Sequence, residues 1–221
     1  IYSHGHTDFG EITTLAKPAQ EELAKHFVIG RPKVIADPVS VDGSRKWLVA
    51  MPDGHEVEMV FIPEEDRGAL CVSCQVGCTN KCSFCHTGTM RLVRNLSAAE
   101  ILMQVMLVRD VLGEWRLPSL EKRKFSNIVF MGMGEPLFNY DEVAKATKII
   151  MDEGGLAISR RKITLSTSGV VPMIERCGAE LNIGLAISLH AVSDEVRSEL
   201  IPLNKKWPIA DLLEACRNYP G

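Results

Sequence analysis

Five of the seven cysteines fall within fifteen residues, in the run Cys71-Val72-Ser73-Cys74-Gln75-Val76-Gly77-Cys78-Thr79-Asn80-Lys81-Cys82-Ser83-Phe84-Cys85. Whatever the chain folds into has to present part of this run as a short loop, because Cys78, Cys82 and Cys85 are spaced Cys-x3-Cys-x2-Cys. Three thiolates gathered in this way suit a cubane iron–sulfur cluster, whose irons prefer soft sulfur ligands. Three protein ligands for such a cluster leave one iron open, and an open iron takes a substrate or cofactor. The spacing therefore reads as catalytic rather than structural.

Composition narrows the setting. With 221 residues, 46% of them hydrophobic, the chain can bury a sizeable core as one large domain or as one domain with a small appendage. An odd number of cysteines, mostly clustered, is not a disulfide framework and points to metal binding or catalysis in a reducing compartment. No apolar run approaches the ~20 residues that span a bilayer, and Ile1-Tyr2-Ser3-His4 lacks the regions of a signal peptide. A cytoplasmic protein is the expectation. The net charge of −3 gives no global attraction to nucleic acid. The basic residues are nevertheless bunched, at Lys122-Arg123-Lys124, Arg160-Arg161-Lys162 and Lys205-Lys206; solvated faces explain such runs as well as RNA does.

Along the chain, Pro18 to His26 reads as a helix with Pro in its first turn and Glu21 and Glu22 near its positive end. Trp47 to Met51, a Pro52-Asp53-Gly54 turn and Val57 to Ile62 read as a β-hairpin; alternation puts Val57, Met59 and Phe61 on one face and Glu58 on the other. A polar loop from Pro63 to Gly68 then delivers the chain to the cysteines. Ser97-Ala98-Ala99-Glu100 is a capping box opening a helix to about Leu112. Beyond it, strands at Asn127–Met131, Lys162–Thr167 and Ile183–Leu189 alternate with helices at Asp141–Met151, Pro172–Cys177 and Ile209–Arg217. This is the pattern of an α/β protein with a parallel sheet covered by helices. The expected division is an accessory region over 1–45, a hairpin and loop over 46–70, and a core over 71–221.

In such sheets the chemistry lies at the C-terminal edge of the strands. The first strand there is followed by Gly132-Met133-Gly134-Glu135-Pro136, whose glycines allow close backbone approach and whose Glu135 suits an ammonium group. The second runs into Ser166-Thr167-Ser168-Gly169, hydroxyls and amides suited to a carboxylate or ribose. The third ends Ser188-Leu189-His190. Singly, the hydroxyls are better read as helix caps and His190 as a backbone partner. Three polar endings on one edge, downstream of a three-cysteine loop, converge on one place.

Taken together, these strings resemble the radical S-adenosylmethionine (SAM) enzymes, and within them the RlmN family of adenine C2 RNA methyltransferases. The resemblance rests on Cys71 to Cys78, Cys82-Ser83-Phe84-Cys85, Arg94-Asn95-Leu96, Met131 to Leu137, Ser166 to Pro172, Ser188-Leu189-His190-Ala191 and Pro202-Leu203-Asn204-Lys205-Lys206, in that order. It implies a partial or full (β/α) radical SAM barrel preceded by a small helical and β-hairpin region. It implies that Cys78, Cys82 and Cys85 bind a [4Fe-4S] cluster whose open iron holds the amino and carboxylate groups of SAM. Gly134 and Glu135 would receive the methionine amino group, and Ser166, Ser188, Leu189 and His190 would contact the rest of SAM. Glu58 matches the family's proton acceptor, and Cys71 the cysteine that resolves a covalent RNA adduct. The implied substrates are 23S rRNA and tRNA, with an electron donor such as flavodoxin and a monomeric enzyme.

The chemistry accounts for the number of cysteines. Adenine C2 is electron-poor, so in the family a methyl group carried on a cysteine reaches it by a radical route, leaving a covalent adduct that a second thiol must resolve. Neither Cys177 nor Cys216 matches the carrier cysteine, which lies near the C-terminus of the full-length enzymes; both read as core thiols. The chain therefore reads as truncated, able at most to bind cluster and SAM and to cleave SAM slowly. Cys74, where serine is common in the family, is placed outside the ligand set. Arg91 and Arg94, just past the cysteine loop, are the better candidates for RNA phosphates. The competing readings are a Cfr-type adenine C8 methyltransferase and an RNA-binding protein with a structural cluster.

Overall fold

The computed structural model describes residues 1–65, 67–115 and 123–220, so Lys122 of the first basic run lies outside the described residues. The chain begins with helix α1 (Lys17–His26) and strands β1 (Lys33–Ala36), β2 (Arg45–Ala50), β3 (Glu56–Pro63) and β4 (Gly68–Cys71). A two-residue ribbon, β5 (Gln75–Val76) and β6 (Arg94–Asn95), encloses the short helix α2 (His86–Thr89), and the long helix α3 (Ala98–Leu112) follows. The remainder is β7 (Asn127–Phe130), α4 (Tyr140–Met151), β8 (Ile163–Thr167), α5 (Val171–Glu180), β9 (Gly184–Ile187), α6 (Asp194–Leu200) and α7 (Ile209–Arg217).

One seven-stranded sheet runs in the order β1-β2-β3-β4-β7-β8-β9. The first four strands are antiparallel neighbours, whereas β4, β7, β8 and β9 are parallel. This is the expected α/β architecture, with the hairpin joined to the same sheet as the later strands. Among the described residues the sheet is open, with β1 and β9 at its edges. The segment read as a polar loop leading to the cysteines is shorter than expected, since β3 runs on to Pro63 and Gly68 to Cys71 form a strand. β4 pairs with both β3 and β7, and those long-range partners make it a strand. Cys71 thus ends the first parallel strand, on the same edge as the three strand ends singled out above.

The two faces of the sheet differ. Val57, Met59, Phe61, Leu70, Ile128, Phe130, Ile163 and Leu165 are buried in the core. Their neighbours Glu58, Val60, Cys71, Val129, Thr164 and Ser166 alternate onto the other, half-open face. The register aligns Val60 with Cys71, Cys71 with Val129, and Val129 with Thr164.

α3 begins where its sequence says it should. Ser97 Oγ accepts from the Glu100 amide while the Glu100 carboxylate accepts from the Ser97 amide, a capping box that contributes about 1 kcal/mol. Ile101, Leu102, Val105 and Val108 are buried on this helix, as is Gln104, which exchanges hydrogen bonds with both backbone groups of Ser73.

β5 and β6 pin the base of the cysteine loop. At its first turn Gly77 has φ of 78°, and a β-carbon there would sit 2.1 Å from the carbonyl oxygen of Arg91. Gly77→Ala is therefore expected to cost about 2 kcal/mol or more, through a left-handed backbone and a backbone clash together. Chemical denaturation reads this out, and an unchanged midpoint would contradict it.

Candidate active site

The loop from Cys78 to Cys85 is held from three sides. The Ser83 amide donates to the Leu200 carbonyl at 3.0 Å, and the Cys85 amide to that of Cys82 at 3.1 Å. Asn80 reaches inward, its Nδ2 donating to Ser168 Oγ at 2.6 Å and to Glu135 Oε2 at 3.2 Å. Glu135 follows β7 and Ser168 follows β8, so one side chain of the loop is tied to two strand ends.

Glu135 is less open than its sequence context suggests. It is 3% exposed, and its Oε2 accepts from the Ser168 amide at 2.9 Å and from Ser168 Oγ at 2.8 Å as well as from Asn80. Oε1 accepts from the Leu137 amide at 3.2 Å, which leaves it the oxygen with spare acceptor capacity. Burial pushes the carboxyl up from its ordinary value, and the hydrogen bonds from Ser168, Thr167 and Leu137 pull against it. Behind it, Gly134 has φ of 103° and no room for a β-carbon against Gln75, whose Oε1 accepts from the Glu135 amide.

Cys78, Cys82 and Cys85 share one cavity of ≈ 260 Å³ with Gly134, Glu135, Ser166, Ser168 and Ser188. Seven of the expected site residues therefore meet in one place. Leu189 and His190 lie beside the cavity rather than on its wall. Leu189 gives its carbonyl to Arg197 at 3.1 Å, and His190, at φ of 58°, packs its ring against Phe84 with centroids 4.3 Å apart. Glu58 and Cys71 stand apart from the cavity on the half-open sheet face. They are diagonal across the β3–β4 pairing, a spacing of roughly 7–8 Å. Glu58 forms an ion pair with Lys46 at 2.9 Å.

The three loop thiols on one cavity wall are a donor set that fits an iron–sulfur cluster. Among the described residues, no three His, Cys, Asp or Glu side chains are gathered as they would be around one metal ion. Three thiols along a cavity wall provide the soft ligands that irons prefer. Burial raises the Cys78 thiol and, with the neighbouring cysteines and Glu135, pushes that of Cys82 up to about 11. Metal binding would have to displace these protons. Cys74 is different, being 2% exposed and part of the hydrophobic core, with its sulfur 3.6 Å from the Met133 carbonyl. Cys177 is also a core residue, whereas Cys216 packs against the core half-buried.

Arg94 is not the free cation that its position suggested. Its guanidinium binds both oxygens of Glu100, at 2.9 and 2.7 Å, and Asp53 at 2.6 Å, joining the hairpin turn to α3 across the cysteine loop. Arg91 remains exposed. Asn80 and Arg197 are the site residues that sequence reasoning missed, whereas Ser168 stood in the hydroxyl run after the second strand without a role of its own. A polar residue between two ligand cysteines was the available signal for Asn80, and Arg197 offered none.

The residues from 72 to 220 match the model of the Radical SAM superfamily. The chain is 61% identical, over its whole length and 52% of the relative's, to the dual-specificity RNA methyltransferase RlmN of Rhodospirillum rubrum. It is 59% identical, over 100% of the chain and 55% of the relative, to the protein of the same name from Gluconobacter oxydans. The crystal structure of a radical SAM methyltransferase from Sphaerobacter thermophilus superposes with a TM-score of 0.90 at 40% identity, covering 99% of this chain and 63% of that one. The chain thus spans about half the length of the curated relatives it matches.

Two predictions follow from the geometry. Cys82→Ser is expected to abolish iron binding after anaerobic reconstitution, and Cys74→Ser to leave iron content unchanged; iron loss in the second variant would place Cys74 among the ligands. The other concerns pH. The Arg94 hydrogen bond holds the Asp53 carboxyl below its ordinary range, and at Glu100 burial, which raises the carboxyl, is outweighed by hydrogen bonds from Arg94 and Ser97. Each contribution is full above the group's ordinary value, 3.8 for Asp53 and 4.5 for Glu100, and is lost as pH falls through the lowered folded value. Arg94→Met should lower stability at neutral pH and flatten its decline on acidification, as read from urea midpoints. Equal declines in the two proteins would contradict the pairing.

Proposed function

This chain belongs to the radical SAM superfamily, and on that premise we propose that it is of the RlmN branch and carries the cluster- and SAM-binding site of an enzyme that methylates C2 of adenine in 23S rRNA and tRNA. The observation that carries the reading is the meeting of Cys78, Cys82 and Cys85 with Gly134, Glu135, Ser166 and Ser188 around one cavity at the C-terminal edge of four parallel strands. When bound, a [4Fe-4S] cluster supplies the electron for reductive cleavage of SAM.

The residues divide the work by chemistry. Cys78, Cys82 and Cys85 hold the cluster. The Gly134 backbone and Oε1 of Glu135 receive the amino group of SAM, while the hydroxyls of Ser166 and Ser188 face its polar remainder. Leu189 and His190 contribute from beside the cavity, His190 by backing Phe84.

Cys71 and Glu58 serve the later steps, resolution of the RNA adduct and acceptance of the C2 proton. Burial pushes the Cys71 thiol up to about 11, against a hydrogen bond from the Met131 amide. As a nucleophile it therefore needs a base or a change of surroundings when RNA arrives. Glu58 has to exchange its ion pair with Lys46 for the proton it accepts. Among the described residues no helix is long and apolar enough to cross a membrane, and the reading places the enzyme in the cytoplasm as a monomer reduced by a donor such as flavodoxin.

Anaerobically reconstituted protein, reduced with dithionite, is expected to convert SAM to 5′-deoxyadenosine. Absence of cleavage with a full complement of iron would leave the cluster structural and overturn the reading. In RNA from cells expressing the enzyme, nucleoside mass spectrometry is expected to find the methyl group at C2; a C8 product would assign the Cfr-type activity instead.

A further inference from the structure

Arg197 is among the largest fully buried side chains, 1% exposed on a helix that buries no other residue completely. A buried guanidinium is costly unless its donors are satisfied, and here every recorded acceptor is an uncharged oxygen. Nη2 donates to the Ser168 carbonyl at 2.6 Å and the Ser188 carbonyl at 3.4 Å, Nε to the Leu189 carbonyl at 3.1 Å, and Nη1 to Oδ1 of Asn204 at 2.6 Å. Asn204 is fixed in turn, its Nδ2 donating to the Asp194 carboxylate at 2.8 Å and to Ser198 Oγ at 3.0 Å.

The location explains the cost. The β8–β9 ladder ends with Thr167 opposite Ile187, and its last bond runs from the Ser188 amide to the Thr167 carbonyl at 2.9 Å. Beyond that point no ladder holds the two strands together, yet Ser168 and Ser188 both line the cavity. The planar fork of a guanidinium spans the diverging carbonyls, which a point-charge ammonium does not do. The same short helix also receives the Ser83 amide of the cysteine loop on its Leu200 carbonyl.

We propose that Arg197 is a positioning residue for SAM: from behind the cavity it clamps the ends of β8 and β9, and so sets where Ser168 and Ser188 stand relative to the three cysteines. This rests on the assignment of the cavity to cluster and SAM. It predicts that losing the fork weakens SAM binding while leaving cluster assembly intact, because the Arg197 donors reach Ser168, Ser188, Leu189 and Asn204 and none of the three cysteines, and the Ser83–Leu200 bond that ties the cysteine loop to this helix joins backbone groups alone.

The test uses reconstituted wild type, Arg197→Lys and Asn204→Ala, each assayed for iron content, for cooperative thermal unfolding, and for the change that added SAM makes to the electron paramagnetic resonance spectrum of the reduced cluster. Titrating that change gives a SAM affinity. Arg197→Lys, with charge kept and fork lost, is expected to retain iron and bind SAM about tenfold or more weakly, the scale of one charge-assisted hydrogen bond. Asn204→Ala, which frees one arm of the fork, should show a smaller weakening in the same direction. Wild-type SAM affinity in both variants overturns the proposal. It is overturned equally if Arg197→Lys fails to fold and Asn204→Ala binds SAM as wild type does. A reconstituted wild type whose spectrum ignores SAM would instead refute the assignment of the cavity, and the proposal with it.

Discussion

The buried carboxylate of Glu135 is the point on which the site depends. A carboxylate out of water is stable only when it accepts hydrogen bonds, and Glu135 accepts them from three separate parts of the chain while Oε1 keeps room for one more. Leu137 lies in the single 3-10 turn, Pro136–Asn139, that Glu135 itself caps, Ser168 just past the end of β8, and Asn80 within the cysteine loop. The consequence is mutual. The strand ends keep the carboxylate satisfied, and the carboxylate keeps a loop of otherwise irregular backbone against the sheet edge. Arg197 does the complementary task from the opposite side, placing a cation's donors on carbonyls of the same Ser168 and of β9's exit.

The register of the sheet decides which residues can act together. Period-two alternation sends Val57, Met59 and Phe61 into the core and leaves Glu58 on the half-open face with Cys71 and Ser166. A slip of one residue in β3 would bury Glu58, so the same packing that forms the core fixes the placement of Glu58 relative to Cys71. The cavity and the Glu58–Cys71 pair are thus two stations of one sheet edge, the first suited to a cofactor and the second to thiol and proton chemistry.

Much of this was legible in the residues. The Cys-x3-Cys-x2-Cys spacing, the alternation of the hairpin and the Ser97–Glu100 capping box are local signals, and the structure follows each of them. What was not legible is non-local. β4 is four residues, Gly68-Ala69-Leu70-Cys71, with no alternating polarity to mark it, and only its pairing with β3 and β7 makes it a strand. α6 buries one side chain completely, and that residue is an arginine, the opposite of the apolar stripe by which helices are recognised. Glu135 reads as a free carboxylate because its partners Asn80 and Ser168 lie 55 and 33 residues away, and Arg94 as a free cation because Asp53 is 41 residues upstream and its nearer partner, Glu100, is already accounted for by the capping box.

The most direct test of the Glu135 node is hydrogen exchange across the cysteine loop, comparing the wild-type protein with Glu135→Ala. If the carboxylate holds the loop to the sheet, amides from Cys78 to Gly88 should lose protection in the variant while those of α3 and the β2–β3 hairpin keep theirs. Unchanged protection of the loop, in a variant that remains folded, would contradict the account.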